Sequence, residues 1–145
     1  MFIKQISVFL ENTPGTLREL THLLGNGGID LMALSIADTQ NFGIVRIIVA
    51  DAQIDPALAL LRGNGYTARV NNVICAVVED RPSGLCELLD TIESLGVSVE
   101  YLYSFLRATG DTALIILRLS EQAETVKKLA EKGVRIFSQA EIDRL

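Results

Sequence analysis

The 145-residue sequence predicts an α+β chain built from two copies of one βαββαβ unit, each an antiparallel sheet with its helices on one face. Three observations predict it. The segment Glu11-Asn12-Thr13-Pro14-Gly15-Thr16-Leu17 aligns with Glu79-Asp80-Arg81-Pro82-Ser83-Gly84-Leu85 at an offset of 68 positions. At that same offset Gly28-Ile29 meets Gly96-Val97, Leu34 meets Leu102, and Ile6, Val8 and Leu10 meet Ile74, Ala76 and Val78. Within each copy the apolar period switches between strand and helix spacing in the same order.

Ile6, Val8 and Leu10 alternate as on a half-buried strand, and Asn12-Thr13-Pro14-Gly15 then carries the chemistry of a loop entering a helix. Leu17, Leu20, Leu23 and Leu24 mark that helix, which stops at Gly25-Asn26-Gly27-Gly28. In the second copy Leu85, Leu88, Leu89, Ile92 and Leu95 share one helical face, with Gly96 at the C-terminal cap. Two strands follow in each copy, Asp30 to Ala37 with Phe42 to Ala50, and Val97 to Phe105 with Thr112 to Leu119. The second helices run from Pro56 to Arg62, with Asp55 as N-cap and Pro56 at the first helical position, and from Glu121 to Lys132, capped by Ser120. A short strand closes each copy, and the arrangement is ferredoxin-like, with a boundary at Asn71-Asn72 and domains 1–71 and 72–145.

Composition narrows the function. Asp and Glu outnumber Lys and Arg by 18 to 13, for a net charge of −5, and neither half is basic. No positive field collects phosphates or anionic lipid, so no nucleic-acid or membrane partner is expected. Cys75 and Cys86 are too few for a disulfide framework and read as free thiols in small buried apolar positions. With no signal peptide or long apolar run, a cytoplasmic protein is the simplest reading. His22 is the single histidine and reads as a surface position on the first helix, and the two cysteines lack zinc-ligand spacing, so neither metal nor cofactor is expected. Gly63-Asn64-Gly65-Tyr66-Thr67-Ala68 has the letters of a dinucleotide fingerprint, but it follows a helix and precedes a strand, the reverse of the required context. No nucleophile is tied to a base by any motif, which argues against an enzyme.

The loop between first strand and first helix is the informative part. A helix N-terminus offers unpaired N–H groups and partial positive charge to a carboxylate, and Gly15 there allows close approach. Asn12 both donates and accepts hydrogen bonds, and Asp30, opening the second strand, can accept from an ammonium group. Together these groups suit a zwitterion such as a free amino acid. The same residues equally suit a purely structural role, with Asn12 and Asp80 capping helices, Pro14-Gly15 turning the chain and Asp30 exposed on a strand.

Asn12-x-Pro14-Gly15-x-Leu17 followed by Gly28-Ile29-Asp30, inside a βαββαβ unit, resembles the ACT domain family of amino-acid-sensing regulatory modules. Asp80-x-Pro82-Ser83-Gly84-Leu85 followed by Gly96-Val97-Ser98 is similar, so the resemblance covers nearly the whole chain and implies a free-standing tandem ACT protein. It implies a non-catalytic regulatory protein that binds a free amino acid where two ACT units meet, against the first loop of one unit. The ligand positions it implies are Asn12, Thr13, Pro14, Gly15, Thr16, Leu17, Asp30 and Leu31 in the first copy. In the second they are Asp80, Ser83, Gly84 and Ser98. There the glycine has moved one place, from the Ser83 position to Gly84, which ranks the first site above the second.

With strand order 4-1-3-2 the second strand is an edge at which two copies can pair, leaving the first loops beside the junction. Val97, Val99, Tyr101, Tyr103 and Phe105 form an alternating row on that strand of the second copy, read as core or as a ligand rim. Val73, Cys75 and Val77 make the strand carrying Ile74 and Ala76 apolar on both faces, which predicts a homodimer or larger assembly. Two alternatives stand beside the amino-acid sensor. One is a regulatory small subunit of an amino-acid biosynthetic enzyme such as acetolactate synthase, and the other is an oligomerisation module without ligand.

Overall fold

The computed structural model describes residues 1–11, 13–38, 42–107 and 110–145. The elements run β1 (Ile3–Glu11), α1 (Thr16–Asn26), β2 (Ala33–Asp38), β3 (Phe42–Ile48), α2 (Asp51–Gly63), β4 (Thr67–Glu79), α3 (Gly84–Ser94), β5 (Val99–Ser104), β6 (Thr112–Leu119), α4 (Gln122–Glu131) and α5 (Gln139–Ile142). Two compact units divide the chain: Lys4–Asn71, and Asn72–Leu145 together with Met1–Ile3.

In the first unit β3 pairs antiparallel with both β1 and β2, and the strand order is β2-β3-β1-β4, so β2 is an edge. Ile6, Val8 and Leu10 alternate on β1 and share a face with Val45 and Ile47 of β3. Leu20 and Leu24 of α1, with Ile54, Ala57 and Leu61 of α2, cover that face. Burying each of these leucines and isoleucines contributes about 1.5–3 kcal/mol, which is why both helices lie on one side of the sheet.

The second unit repeats the plan. β6 pairs with β4 and β5, and residues 135–137 close the other side of β4 through Val77 N–H to Arg135 O at 2.9 Å and Phe137 N–H to Cys75 O at 2.8 Å. Its core joins Ile74, Ala76 and Val78 to Leu88 and Ile92 of α3 and Val126 and Leu129 of α4. The short helix α5 is entered through a capping box between Ser138 and Glu141, and it buries Ile142.

Several local expectations are corrected. α2 begins at Asp51, with Ala50 as N-cap, so Asp55 is not a cap and Pro56 lies inside the helix. Buried Ile54, one turn ahead of Ala57, ties the first turn to the core, while Pro56 sits on the exposed side of the helix. Ser120 does not cap α4, whose N-cap is Glu121, because the Ser120 hydroxyl accepts from Ser98 N–H at 3.1 Å. β2 and β5 start later than expected, so Asp30 and Ser98 precede their strands. A bulge between Val99 and Tyr101 breaks the apolar row on β5: Val97 and Val99 pack on the core, whereas Tyr101 and Tyr103 share the face of Arg118 and Ile116 and stack at 6.5 Å. Leu85 and Cys86 are exposed, since only one α3 stripe reaches the sheet.

Cys75 and Val73 are fully buried in the single chain, so the two-faced apolar pattern of that strand does not by itself demand a second copy. Burial, reinforced by Glu141, pushes the Cys75 thiol up to about 12.

Two predictions follow from this packing. A Cβ built on Gly84 falls 2.1 Å from the Glu79 carbonyl oxygen, whereas one built on Gly15 meets nothing within 4 Å. Gly84→Ala should therefore cost about 1–3 kcal/mol through overpacking. Gly15→Ala should cost only the left-handed backbone term of about 1 kcal/mol; equal costs in denaturant unfolding would contradict the packing role of Gly84. For the thiols, a native-state maleimide titration should modify Cys86 alone. The unfolded Cys75 thiol ionises from its ordinary 9.0 while the folded one holds its proton to about 12, so stability should decline from pH 9 upward. Cys75→Ala should remove that part of the decline.

Candidate functional site

β1 ends at Glu11, and Asn12, the first ligand position expected from the sequence, lies outside the described residues. The loop beyond it is fastened by its own backbone and one hydroxyl. Thr13 N–H donates to Glu11 O at 3.0 Å, and Thr16 Oγ1 lies 2.8 Å from Glu11 O and 2.9 Å from Thr13 O. Gly15 is the N-cap of α1 at φ +88°, a conformation that costs glycine little, and it has no side chain to cap the helix. Pro14 is exposed in the turn.

This loop forms one wall of a cavity of about 240 Å³. Thr13, Gly15 and Thr16 line it from the loop, and Leu10, Leu17 and Ile36 supply apolar surface above Gly43. Glu11 and Arg18 bring opposite charges to the rim, and neither is engaged in an ion pair among the described residues. The α1 N-terminus adds its partial positive charge beside Arg18, so a small molecule with one anionic and one cationic group suits the rim.

Asp30 and Leu31 are not brought to this cavity. Ala33 pairs with Ile48, whereas Gly43, at the cavity, pairs with Leu10 and with Asp38 at the far end of β2. At about 3.3 Å per residue the strand separates the two ends by roughly 17 Å. Leu31 packs partly against the core, and Asp30 is held by the Gln53 side chain: Asp30 N–H donates to Oε1 at 3.0 Å, and Nε2 donates to Gly28 O at 2.8 Å.

The second loop keeps the backbone path but not the side chains. Ser83 occupies the place of Gly15 and takes the same left-handed conformation, at φ +70°. Arg81 stands where the first loop has Thr13. Its guanidinium donates to both oxygens of Glu87, at 2.7 and 2.9 Å, to Glu79, and to Pro82 O at 3.1 Å. Glu87 first, then Glu79, hold it charged well above its ordinary range. Gly84 is buried against Glu79. Asp80 instead lines a separate cavity of about 310 Å³ with Arg107 and the end of β5. Ser98, like Asp30, lies at the opposite end of its unit, next to the Val99–Leu119 pair.

Leu10, Glu11, Arg18, Ile36 and Gly43 were not anticipated as site residues. Glu11 and Arg18 flank the loop motif and were legible as a charge pair around it, whereas Ile36 and Gly43 join the site only through strand register. His22 is exposed on α1, with Nε2 3.0 Å from the Asn26 side-chain amide. No described helix is long and apolar enough to cross a membrane.

A family model described as an ACT domain pair matches residues 1–144. Comparison with curated proteins gave no match. Among solved structures, protein BT0572 from Bacteroides thetaiotaomicron superposes with a TM-score of 0.88 at 34% identity, covering 100% of this chain and 98% of that one. The ligand-free regulatory subunit of aspartate kinase from Thermus thermophilus gives 0.65 at 16% identity over 88% of this chain and 91% of that one. The corresponding subunit from Thermus flavus gives 0.62 at 15% over 88% and 90%. The last two share the fold. With the duplicated βαββαβ plan and a model match over nearly its whole length, the chain belongs to the ACT domain family, as a pair of ACT domains.

Proposed function

We propose that this ACT pair is a non-catalytic regulatory protein that binds a free amino acid at the first loop of its first unit. The observation that carries the reading is the cavity beside the α1 N-terminus, lined by Glu11 and Arg18, which make no ion pair among the described residues. The ligand carboxylate faces Arg18 and the helix N–H groups, and the ammonium group faces Glu11. Thr13, Gly15, Thr16 and Leu17 line the cavity, with Pro14 in the turn between them.

Asp30 reaches such a ligand only from a second copy of the chain. β2 is an edge strand, and antiparallel pairing of two β2 edges brings the start of one beside the end of the other. A homodimer formed that way completes each site with the partner's Asp30 and Leu31. Ligand held across the junction then favours the paired arrangement, a coupling typically worth about 1–3 kcal/mol. Asp80, Ser83, Gly84 and Ser98 form no comparable site within one copy, because Asp80 lines a separate cavity, Ser98 lies at the far end of the unit, Arg81 is clamped to Glu87 in the loop and Gly84 packs inward.

A second reading is attachment to the catalytic subunit of an amino-acid biosynthetic enzyme, since the Thermus chains that share the fold are regulatory subunits of aspartate kinase. Co-purification of a catalytic subunit with the tagged chain would favour it.

A thermal-shift screen against the twenty standard amino acids tests the leading reading. A ligand present at 100 times its Kd should stabilise the folded chain by about 2.7 kcal/mol. Absence of any shift would overturn it and leave the enzyme subunit or an oligomerisation module. Arg18→Ala and Asp30→Ala should each weaken binding without loss of fold. If the site combines Arg18 of one copy with Asp30 of the other, mixing these two variants should restore about a quarter of the sites, since half the dimers are mixed and each holds one intact site. No recovery on mixing would place both residues in one copy or exclude one of them.

A further inference from the structure

Resting on that reading of the first loop, we infer that the amino acid bound there is aliphatic, and that Gly43 sets how large its side chain can be. Ile36 lies opposite Val45, on the helix side of the sheet, yet it is 49% exposed because it stands on the edge strand beyond the reach of α1. It lines the cavity with buried Leu10 and half-buried Leu17, so apolar side chains bound one small space and Ile36 is the one left largely uncovered.

The floor of that space is a residue without a side chain. Gly43 pairs with Leu10 on one side and Asp38 on the other, and the gap between Leu10 and Ile36 exists because nothing projects from it. In the second unit Thr112 pairs with Glu79 as Phe42 pairs with Glu11, so the place of Gly43 is taken by Ala113. A Cβ on Gly43 would lie 3.4 Å from Ala37 O and 3.7 Å from two Ile36 carbons, so an alanine fits the strand but projects toward the cavity.

Among the described residues lining the cavity, the apolar side chains of Leu10, Leu17 and Ile36 outnumber the hydroxyls of Thr13 and Thr16. The Thr16 hydroxyl donates to the Glu11 and Thr13 carbonyls and keeps only its acceptor capacity, and Glu11 and Arg18 serve the ligand's own ammonium and carboxylate groups. At about 240 Å³ the cavity falls below the usual range for larger metabolites, and it suits one amino acid with a branched aliphatic side chain.

Calorimetric titration of the wild-type chain, Gly43→Ala and Ile36→Ser with glycine, L-alanine, L-valine, L-leucine, L-isoleucine, L-serine, L-aspartate and L-lysine tests this. The wild type should bind at least one branched aliphatic amino acid more tightly than alanine by about tenfold or more. Gly43→Ala should weaken the branched amino acids by about tenfold while changing alanine little, compressing the order. Ile36→Ser, on an exposed edge position, should keep the wild-type melting temperature and lose the aliphatic preference, so it carries the test if Gly43→Ala folds poorly. A serine, aspartate or lysine that binds more tightly than every aliphatic amino acid would overturn the inference and leave the proposed function standing. An aliphatic order unchanged in both variants would do the same. If nothing in the full set of standard amino acids binds the wild type, the proposed function fails and this inference fails with it.

Discussion

Strand β3 is hydrogen-bonded along both edges, to β1 and to β2, and its register decides which side chains the helices cover. A slip of one residue would turn Val45 and Ile47 from the core to the open face and bring Ile44 and Arg46 under α1 and α2. The buried face makes such a slip costly, so the register is pinned by hydrophobic burial more than by any turn. Everything at the first loop inherits it. Gly43 reaches Leu10 on one side and Asp38 on the other only in this register, and the cavity beside α1 is the space that pairing leaves.

Much of this was legible in sequence because it depends on local periodicity. The alternation of Ile6, Val8 and Leu10 and the stripe of Leu20 and Leu24 each report a face, and the repeat at a fixed offset doubles every such signal. What failed was punctuation. Asp55-Pro56 has the chemistry of a helix start, but the helix had already begun at Asp51, because Ile54 gains more from the core than Pro56 loses at an exposed position. Ser120 likewise has the right letter for a cap, yet its hydroxyl serves Ser98 instead.

The candidate site was only half legible for a related reason. Thr13, Gly15, Thr16 and Leu17 are contiguous and were readable as one loop. Asp30 follows them in the same motif, but proximity in a motif is not proximity in one unit, since the helix between them carries the chain to the other end of the sheet. Ile36 and Gly43 come from strands whose pairing a single sequence does not specify. The second loop adds a different lesson: Ser83 holds the left-handed conformation of Gly15 without being glycine, so the backbone path survived the duplication while the letter did not.

The two cysteines have been left in unlike surroundings, one sealed in the second unit and one on the outer side of α3, two residues past Gly84. That asymmetry makes the native chain a ready-made single-label protein. A fluorophore or spin label on Cys86 would sit within the first turn of α3, next to the Arg81 clamp, without any engineered cysteine. Motion at the entrance of the second loop can then be followed in the unaltered sequence, with the first loop left free of probes.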